Sequence, residues 1–288
     1  MIEKNAYAKL NLNLHVFPDL SFKNDTGYYP VRFINCELDL HDSLFFESQN
    51  DKITLSCDNG ELSNAENFVY RAAQLLKEEI GDSHLGVKIV LKKRIPVKAG
   101  LGGGSSDAAV TIKTLLEMWK STISTEQLKR IINPLGSDVF YFMRGGICEI
   151  AGKGDDINPI LGILQRLWVI LITPSLSKPS TSWMYSKIEL DKIGKHVNIC
   201  EQLKQNILNK NTSNITNYFH NDFEDIISKH YPELDTINND LSASGSVKQL
   251  IAGSGLTIAG FYRSKESAEE AFKTLKVNYK NIIWTHTI

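Results

Sequence analysis

The sequence predicts an α+β protein built from two domains, and two observations carry that reading. Segments that alternate apolar and polar residues cluster along the chain, as do segments with apolar residues at helical spacing. The two kinds do not alternate strictly, which sets the chain apart from a regular βαβ array. A shift toward Ser, Asn and Lys from Thr173 to Thr216 then separates the first half from a shorter run of helix, hairpin, helix and strand. The reading divides the chain into residues 1–155 and 156–288, a length that suffices for two domains.

At the N-terminus Ala6, Ala8, Leu10, Leu12, Leu14 and Val16 alternate with Lys9, Asn11, Asn13 and His15. Period two predicts a strand with one buried face and places Lys9 and Asn11 together on the other. The polar stretch Phe17 to Gly27 reads as a loop and a candidate lid. Residues 31–40 and 42–48 read as two strands joined near His41, and 51–57 as another. The period then lengthens. Residues 63–81 predict a helix, opened by Ser63 and Glu66 at capping-box spacing and closed on Gly81. Residues 86–97 return to a strand, Ser105 to Trp119 is a helix, and Ser124 with Gln127 caps one running to about Asn133.

Further on, 146–151 and 166–174 read as strands, with a turn at Gly152. Residues 247–262 are two strands around a glycine turn, 264–276 a helix and 281–287 a last strand. The most apolar stretch, Ile160 to Pro174, is broken by Gln165 and Arg166. It is shorter than the ~20 residues a bilayer span needs and reads as a buried strand.

Composition narrows the partners. With a net charge of -1 and a pI near 6.7, the chain lacks the basic surface of a nucleic-acid binder. Cys36, Cys57, Cys148 and Cys200 are scattered and form no C-x-x-C pair, which argues against a disulfide framework or a zinc site and fits a reducing cytoplasm. The first residues lack the apolar core of a signal peptide. The expectation is a cytoplasmic protein with no nucleic-acid and no membrane partner.

The stretch KAGLGGGSSDAAV, Lys98 to Val110, carries the chemistry. Glycine costs more backbone entropy than any other residue, so three in a row need a use for bare backbone. Placed before a helix, they let an anion approach N–H groups that the first turn leaves unpaired, at the positive end of the macrodipole. Ser105 and Ser106 add hydroxyls for a phosphate or for Mg²⁺. No G-x-x-x-x-G-K-[ST] occurs, and the acidic strand end of a dinucleotide-binding βαβ unit is missing.

Three more segments join this loop: AYAKLNLNLHV with Lys9, PLGSDVFYFMRGG with Asp138, and IAGSGLTIAGFY with Gly253 to Gly255. Together they resemble the motifs of the GHMP small-molecule kinases. TGYY, STSWMY and NDFE followed by YPEL resemble one branch, the 4-diphosphocytidyl-2-C-methyl-D-erythritol kinases of the non-mevalonate isoprenoid pathway. The matches run from about Ala6 to Tyr262.

The resemblance implies an N-terminal domain like domain 2 of ribosomal protein S5 and a ferredoxin-like C-terminal domain. It implies ATP and Mg²⁺, a small diphosphocytidyl polyol as substrate, and a monomer or homodimer. The γ-phosphoryl of ATP would pass to the substrate's 2-hydroxyl. Asp138 would take the hydroxyl proton, and Lys9 would keep Asp138 ionised and neutralise the transition state. Gly100, Leu101, Gly102, Gly103, Gly104, Ser105 and Ser106 would hold the phosphates, with Ala99 beside them in the ATP site and Asn67 near the adenine. Asn11, Tyr28, Tyr29, Asp138, Tyr185, Gly253 and Ser254 would meet the substrate, with Tyr28 and Tyr185 stacking on the cytosine. The metal ligands stay open.

From the residues alone, Lys9 also reads as a surface lysine, Asp138 as a turn residue, Asn11 as a backbone partner and each tyrosine as packing. Three positions depart from the family pattern. Tyr29 stands where it has a histidine, Phe140 where a proline is usual, and Lys98 where a small residue is usual; Lys98 reads as an added cation for the ATP phosphates or as a solvated side chain. The competing readings are another GHMP kinase of mevalonate or homoserine type, and a nucleotide binder without catalysis.

Overall fold

The computed structural model describes residues 1–211 and 213–288. Strand β1 (Ile2–Val16) leads through α1 (Leu20–Thr26) to β2 (Val31–Asn50) and β3 (Ile53–Cys57). Then come α2 (Phe68–Ile80), β4 (Leu85–Lys92), α3 (Gly103–Met118), α4 (Thr125–Ile132) and α5 (Asp138–Arg144). The hairpin β5 (Cys148–Ala151) and β6 (Asp156–Pro159) precedes β7 (Trp168–Ile172), α6 (Thr181–Ser186) and α7 (Val197–Leu208). The two-residue β8 (His220–Asn221), α8 (Glu224–His230), α9 (Leu234–Ala243), β9 (Lys248–Ile251), β10 (Ile258–Tyr262), α10 (Lys265–Leu275) and β11 (Ile282–His286) complete the chain.

These elements form two compact units. One comprises residues 1–8, 40–97 and 102–145, the other 9–39, 98–101 and 146–288, so β1 and β2 each contribute one end to each unit.

In the first unit the C-terminal part of β2 pairs antiparallel with β4, from Ser43 opposite Lys92 to Asn50 opposite Leu85. β3 joins β4 in parallel, with α2 as the crossover. Val69, Ala72, Ala73 and Leu76 make the buried stripe of α2 at the spacing of one helical face. They form a core with Leu44, Phe46, Ile89, Leu91, Ala108, Ile112 and Leu115.

In the second unit the N-terminal part of β2 pairs with β5, Phe33 opposite Ile150, and β5 with β6. The end of β1 pairs in parallel with β8, Asn13 opposite His220. A separate antiparallel sheet runs β11-β7-β10-β9, backed by α9 and α10. Val169, Ile170, Leu171, Ile258, Ala259 and Phe261 fill it. The protein is thus α+β with two sheets.

Several elements differ from their sequence reading. β2 is one strand of 20 residues with no joint at His41. Phe17 to Gly27 is largely the helix α1, closed by Asp19, whose side chain accepts from Phe22 N–H, and by Gly27 at φ 80°. α2 is capped by Asn67, while Ser63 Oγ accepts the Cys57 N–H at 2.8 Å. α3 begins at Gly103, inside the glycine run. In the apolar stretch before Pro174 only Trp168–Ile172 is strand, and Leu161 lies 85% exposed.

The largest difference is in β1. Lys9, Asn11, Asn13 and His15 are at most 4% exposed, so both faces of its second half are interior. Burial of such groups demands partners, and those partners define the site.

Candidate active site

In the second unit the polar face of β1 makes a relay. Lys9 Nζ donates to Asn11 Oδ1 at 2.7 Å, and Asn11 Nδ2 donates to Asn35 Oδ1 at 2.7 Å. The amide of Asn11 thus links the side chains of Lys9 and Asn35.

The glycine turn between β9 and β10 closes on this relay. A Cβ at Gly253 would stand 3.1 Å from Asn11 Oδ1 and 3.5 Å from Lys9 Nζ. Gly253 sits at φ +60°, and Asn221 Nδ2 holds the turn by donating to Ile251 O at 2.9 Å and Gly253 O at 2.7 Å. The 98–101 segment abuts the same turn, backbone against backbone. A Cβ on Gly100, at φ +83°, would overlap the Ala252 carbonyl oxygen, and one on Gly255 would come within 2.7 Å of Ala99 O. Lys9 N–H donates to Leu101 O at 2.9 Å. Lys9, Asn11, Gly253, Ser254, Ala99, Gly100 and Leu101 are thereby brought together. Lys98, next along, is exposed and takes φ 59°, a conformation that L-residues rarely adopt.

One residue here escaped the sequence reading. Lys178 Nζ donates to Ser254 Oγ at 2.9 Å and also to the Ser254 carbonyl oxygen. Burial, and then the charge of Lys9, push its ammonium down to about 8. Two amines that repel one another beside bare backbone make a pocket of positive potential. A lone lysine in a serine-rich stretch leaves no periodic signal.

The aromatic candidates lie on separate elements of this unit. Tyr28 follows α1 with 61% of its surface exposed. Tyr29 is buried, and its hydroxyl accepts from Lys23 Nζ at 2.8 Å while the ammonium lies 4.0 Å from the ring centre. Its O–H stays available as a donor, where a histidine would offer two nitrogens. Tyr185, on α6, packs edge-on against Phe223 at 5.0 Å.

In the first unit α3 starts without a side-chain cap. Gly102 is the N-cap at φ 72°, and no acidic residue stands in the first turn. Of the opening N–H groups, that of Ser106 returns to Gly102 O at 2.9 Å, so those before it face outward from the helix. Gly103 and Gly104 lack room for side chains. A Cβ would meet Ile95 Cγ2 at 2.9 Å or Phe68 Cδ2 at 3.3 Å. Ser105 is half-buried and Ser106 buried.

A buried ion cluster, also absent from the sequence reading, anchors this helix. Lys93 Nζ bonds Asp107 Oδ2 at 2.8 Å and Asp42 Oδ2 at 2.5 Å, and Asp42 Oδ1 accepts the Arg94 and Ile95 N–H groups. Burial, opposed by Lys93 and reinforced by Asp42, pushes Asp107 up to about 7. Asn67 caps α2 through Oδ1 and donates to Leu62 O, leaving one N–H and one lone pair of its amide. Asp138 is half-buried at the first position of α5.

Comparison with known proteins adds the context. Residues 67–146 match the family model of the GHMP kinases N terminal domain. The chain is 33% identical over 293 residues to a 4-diphosphocytidyl-2-C-methyl-D-erythritol kinase of Thermodesulfovibrio yellowstonii, covering 99% of this chain and 98% of that protein. It is 34% identical over 291 residues to the enzyme of the same name from Clostridium perfringens, covering 100% and 98%. A crystal structure of 4-(cytidine 5'-diphospho)-2C-methyl-D-erythritol kinase superposes with a TM-score of 0.83 at 28% identity, covering 99% of both chains. A mevalonate kinase from L. major with R-mevalonate shares the fold, with a TM-score of 0.73 at 15% identity.

Proposed function

The chain belongs to the 4-diphosphocytidyl-2-C-methyl-D-erythritol kinase family of the GHMP kinases, and on that premise we propose that it phosphorylates the 2-hydroxyl of 4-diphosphocytidyl-2-C-methyl-D-erythritol from ATP. Full-length identity to kinases of that name favours this reading over a mevalonate or homoserine kinase, which the fold alone would also fit. One observation in the molecule carries the chemistry. The uncapped N-terminus of α3 follows a glycine segment in which Gly100 and Gly102 take positive φ, and a Cβ on Gly103 or Gly104 would crowd Ile95 or Phe68.

Phosphoryl transfer needs positioning and a stabilising environment for spread negative charge. The N–H groups opening α3 bind the phosphates, with the Ser105 hydroxyl beside them. Asn67 gives its remaining N–H and lone pair to the adenine. Asp138 accepts the proton of the acceptor hydroxyl, a contribution of ~10²–10⁴ in rate. Lys9, oriented by Asn11, neutralises charge on the transferring group, and Lys178 adds a second cation at the Ser254 turn. Exposed Tyr28 and half-buried Tyr185 offer faces to the cytosine, each worth ~1–3 kcal/mol. Tyr29 contributes its hydroxyl.

Mg²⁺ suits this donor set. Ser105 presents a hard oxygen, and with no carboxylate in the first turn of α3 most ligands would be nucleotide phosphates and water. Ser105 would help to hold it, and it would supply positive charge against the phosphates.

The test is ADP release with ATP and Mg²⁺, offering the cytidyl substrate beside mevalonate and homoserine. Turnover on the cytidyl substrate alone is expected, and turnover on another alcohol in its place would reassign the substrate.

A further inference from the structure

The end of β1 carries a histidine that phosphoryl transfer does not use. His15 is 0% exposed, and neither Nδ1 nor Nε2 has a hydrogen-bond partner. A neutral imidazole has one N–H and one lone pair to place, and leaving both dry is costly. The fold surrounds this ring with groups that suit a metal.

His220, on β8, stacks against His15 with ring centres 5.1 Å apart and planes at 20°. Its Nε2 lies 2.7 Å from Asp222 Oδ1. The other oxygen of Asp222 accepts the Val16 N–H at 2.8 Å and the Gly194 N–H at 3.1 Å, which fixes the carboxylate. The parallel pairing of Asn13 with His220 sets the register, so His15 approaches from the neighbouring strand. One ligand atom each from His15, His220 and Asp222 lies within 4.8 Å of the other two.

We propose that His15, His220 and Asp222 form a divalent-cation site of the zinc type. Two imidazole nitrogens and one carboxylate oxygen are a common zinc donor set, and a water completes the tetrahedron. Tetrahedral zinc holds its ligands roughly 3.4 Å apart, so His15 closes on the ion by about 1 Å while His220 Nε2 and Asp222 Oδ1, 2.7 Å apart, open by about 0.7 Å. The Val16 and Gly194 N–H groups already orient the carboxylate, as outer partners do in metal sites. Mg²⁺ and Ca²⁺ prefer six or more oxygens, so this site is chemically distinct from the one that serves ATP. The ion would tie β1 to β8, a structural role that does not depend on the proposed reaction.

The test uses the full chain, freed of metal by a chelator and titrated with Zn²⁺ by calorimetry and with Co²⁺ by visible absorption. One ion per chain, tetrahedral Co²⁺ bands and a rise in melting temperature are expected. His15→Leu fills the buried volume without a ligand, and His220→Ala removes a half-buried one. Both should bind Zn²⁺ at least tenfold more weakly while keeping their circular dichroism and Mg²⁺-dependent turnover. Absence of binding by the unmodified chain, or undiminished binding by both folded variants, would overturn the proposal.

Discussion

Lys9 and Asn11 are joined side chain to side chain, Nζ to Oδ1 at 2.7 Å, two positions apart on one face of β1. The carboxamide is fixed in turn by Asn35, so a short chain of amides orients the ammonium. Asn11→Leu should therefore lower kcat about tenfold, the loss of ~1.4 kcal/mol from the transition state, with little change in the ATP KM. Steady-state kinetics decide it. An unchanged kcat would show that Asn11 does not position Lys9.

Lys178 and Ser254 make a second testable pair. Lys178 is charged in the folded protein below about 8 and neutral above it. As a cation for substrate it acts at pH 7, and that contribution is lost as pH rises through 8. KM for the cytidyl substrate is expected to rise above pH 8 in the unmodified enzyme, and Lys178→Met should raise KM at pH 7 and flatten that rise. The folded pKa lies below the ordinary lysine value of ~10.4, so folding stability gains from this group as pH rises between the two. Matching pH profiles for variant and parent would rule the cation out.

Gly100 and Ala252 meet backbone to backbone. Gly100→Ala imposes a strained φ of +83° on an alanine and drives its Cβ into the Ala252 carbonyl. A loss of at least ~2 kcal/mol in urea unfolding is expected. A stability equal to the parent's would mean that the 98–101 segment and the Ser254 turn do not need this approach.

Lys93 neutralises two buried carboxylates, Asp42 and Asp107, whose side chains are 0% and 3% exposed. Lys93→Met strips both of their cation, a loss of ~3–5 kcal/mol. Asp107 is pushed up to about 7 when folded, so the folded state binds its proton more tightly than the unfolded chain does. Its contribution to stability is therefore full at acid pH and declines as pH rises from ~4 to 7. Asp107→Asn should remove that slope, and chemical denaturation at pH 5 and pH 8 measures it.

These relationships show which features were legible in the residue pattern. The Ser124–Gln127 capping box, the hairpin of β9 and β10, and α10 are local signals, and the folded chain keeps them. The period-two pattern of β1 was equally plain, but it cannot say what covers the polar face. Asn11, Asn35 and Gly253 come from three distant segments. α1 was hidden because its seven residues bury nothing and depend on Asp19 and Gly27 at its ends. β2 was split because His41 and Asp42 read as a break in a strand that passes from one unit to the other. Gly103 and Gly104 looked like loop because the Ile95 and Phe68 side chains that require their bareness lie elsewhere in sequence. Lys178 and Lys93 announce nothing until Ser254, Asp42 and Asp107 stand beside them.

The central claim is transfer of phosphate to one hydroxyl of one substrate, with Asp138 taking the proton. Phosphorus NMR of the product formed from 4-diphosphocytidyl-2-C-methyl-D-erythritol and ATP, run beside Asp138→Asn, tests it most directly. A new phosphomonoester on the 2-hydroxyl is expected, with formation slowed at least ~10²-fold in the variant. A phosphate on another hydroxyl, or an Asp138→Asn enzyme as fast as its parent, would contradict it.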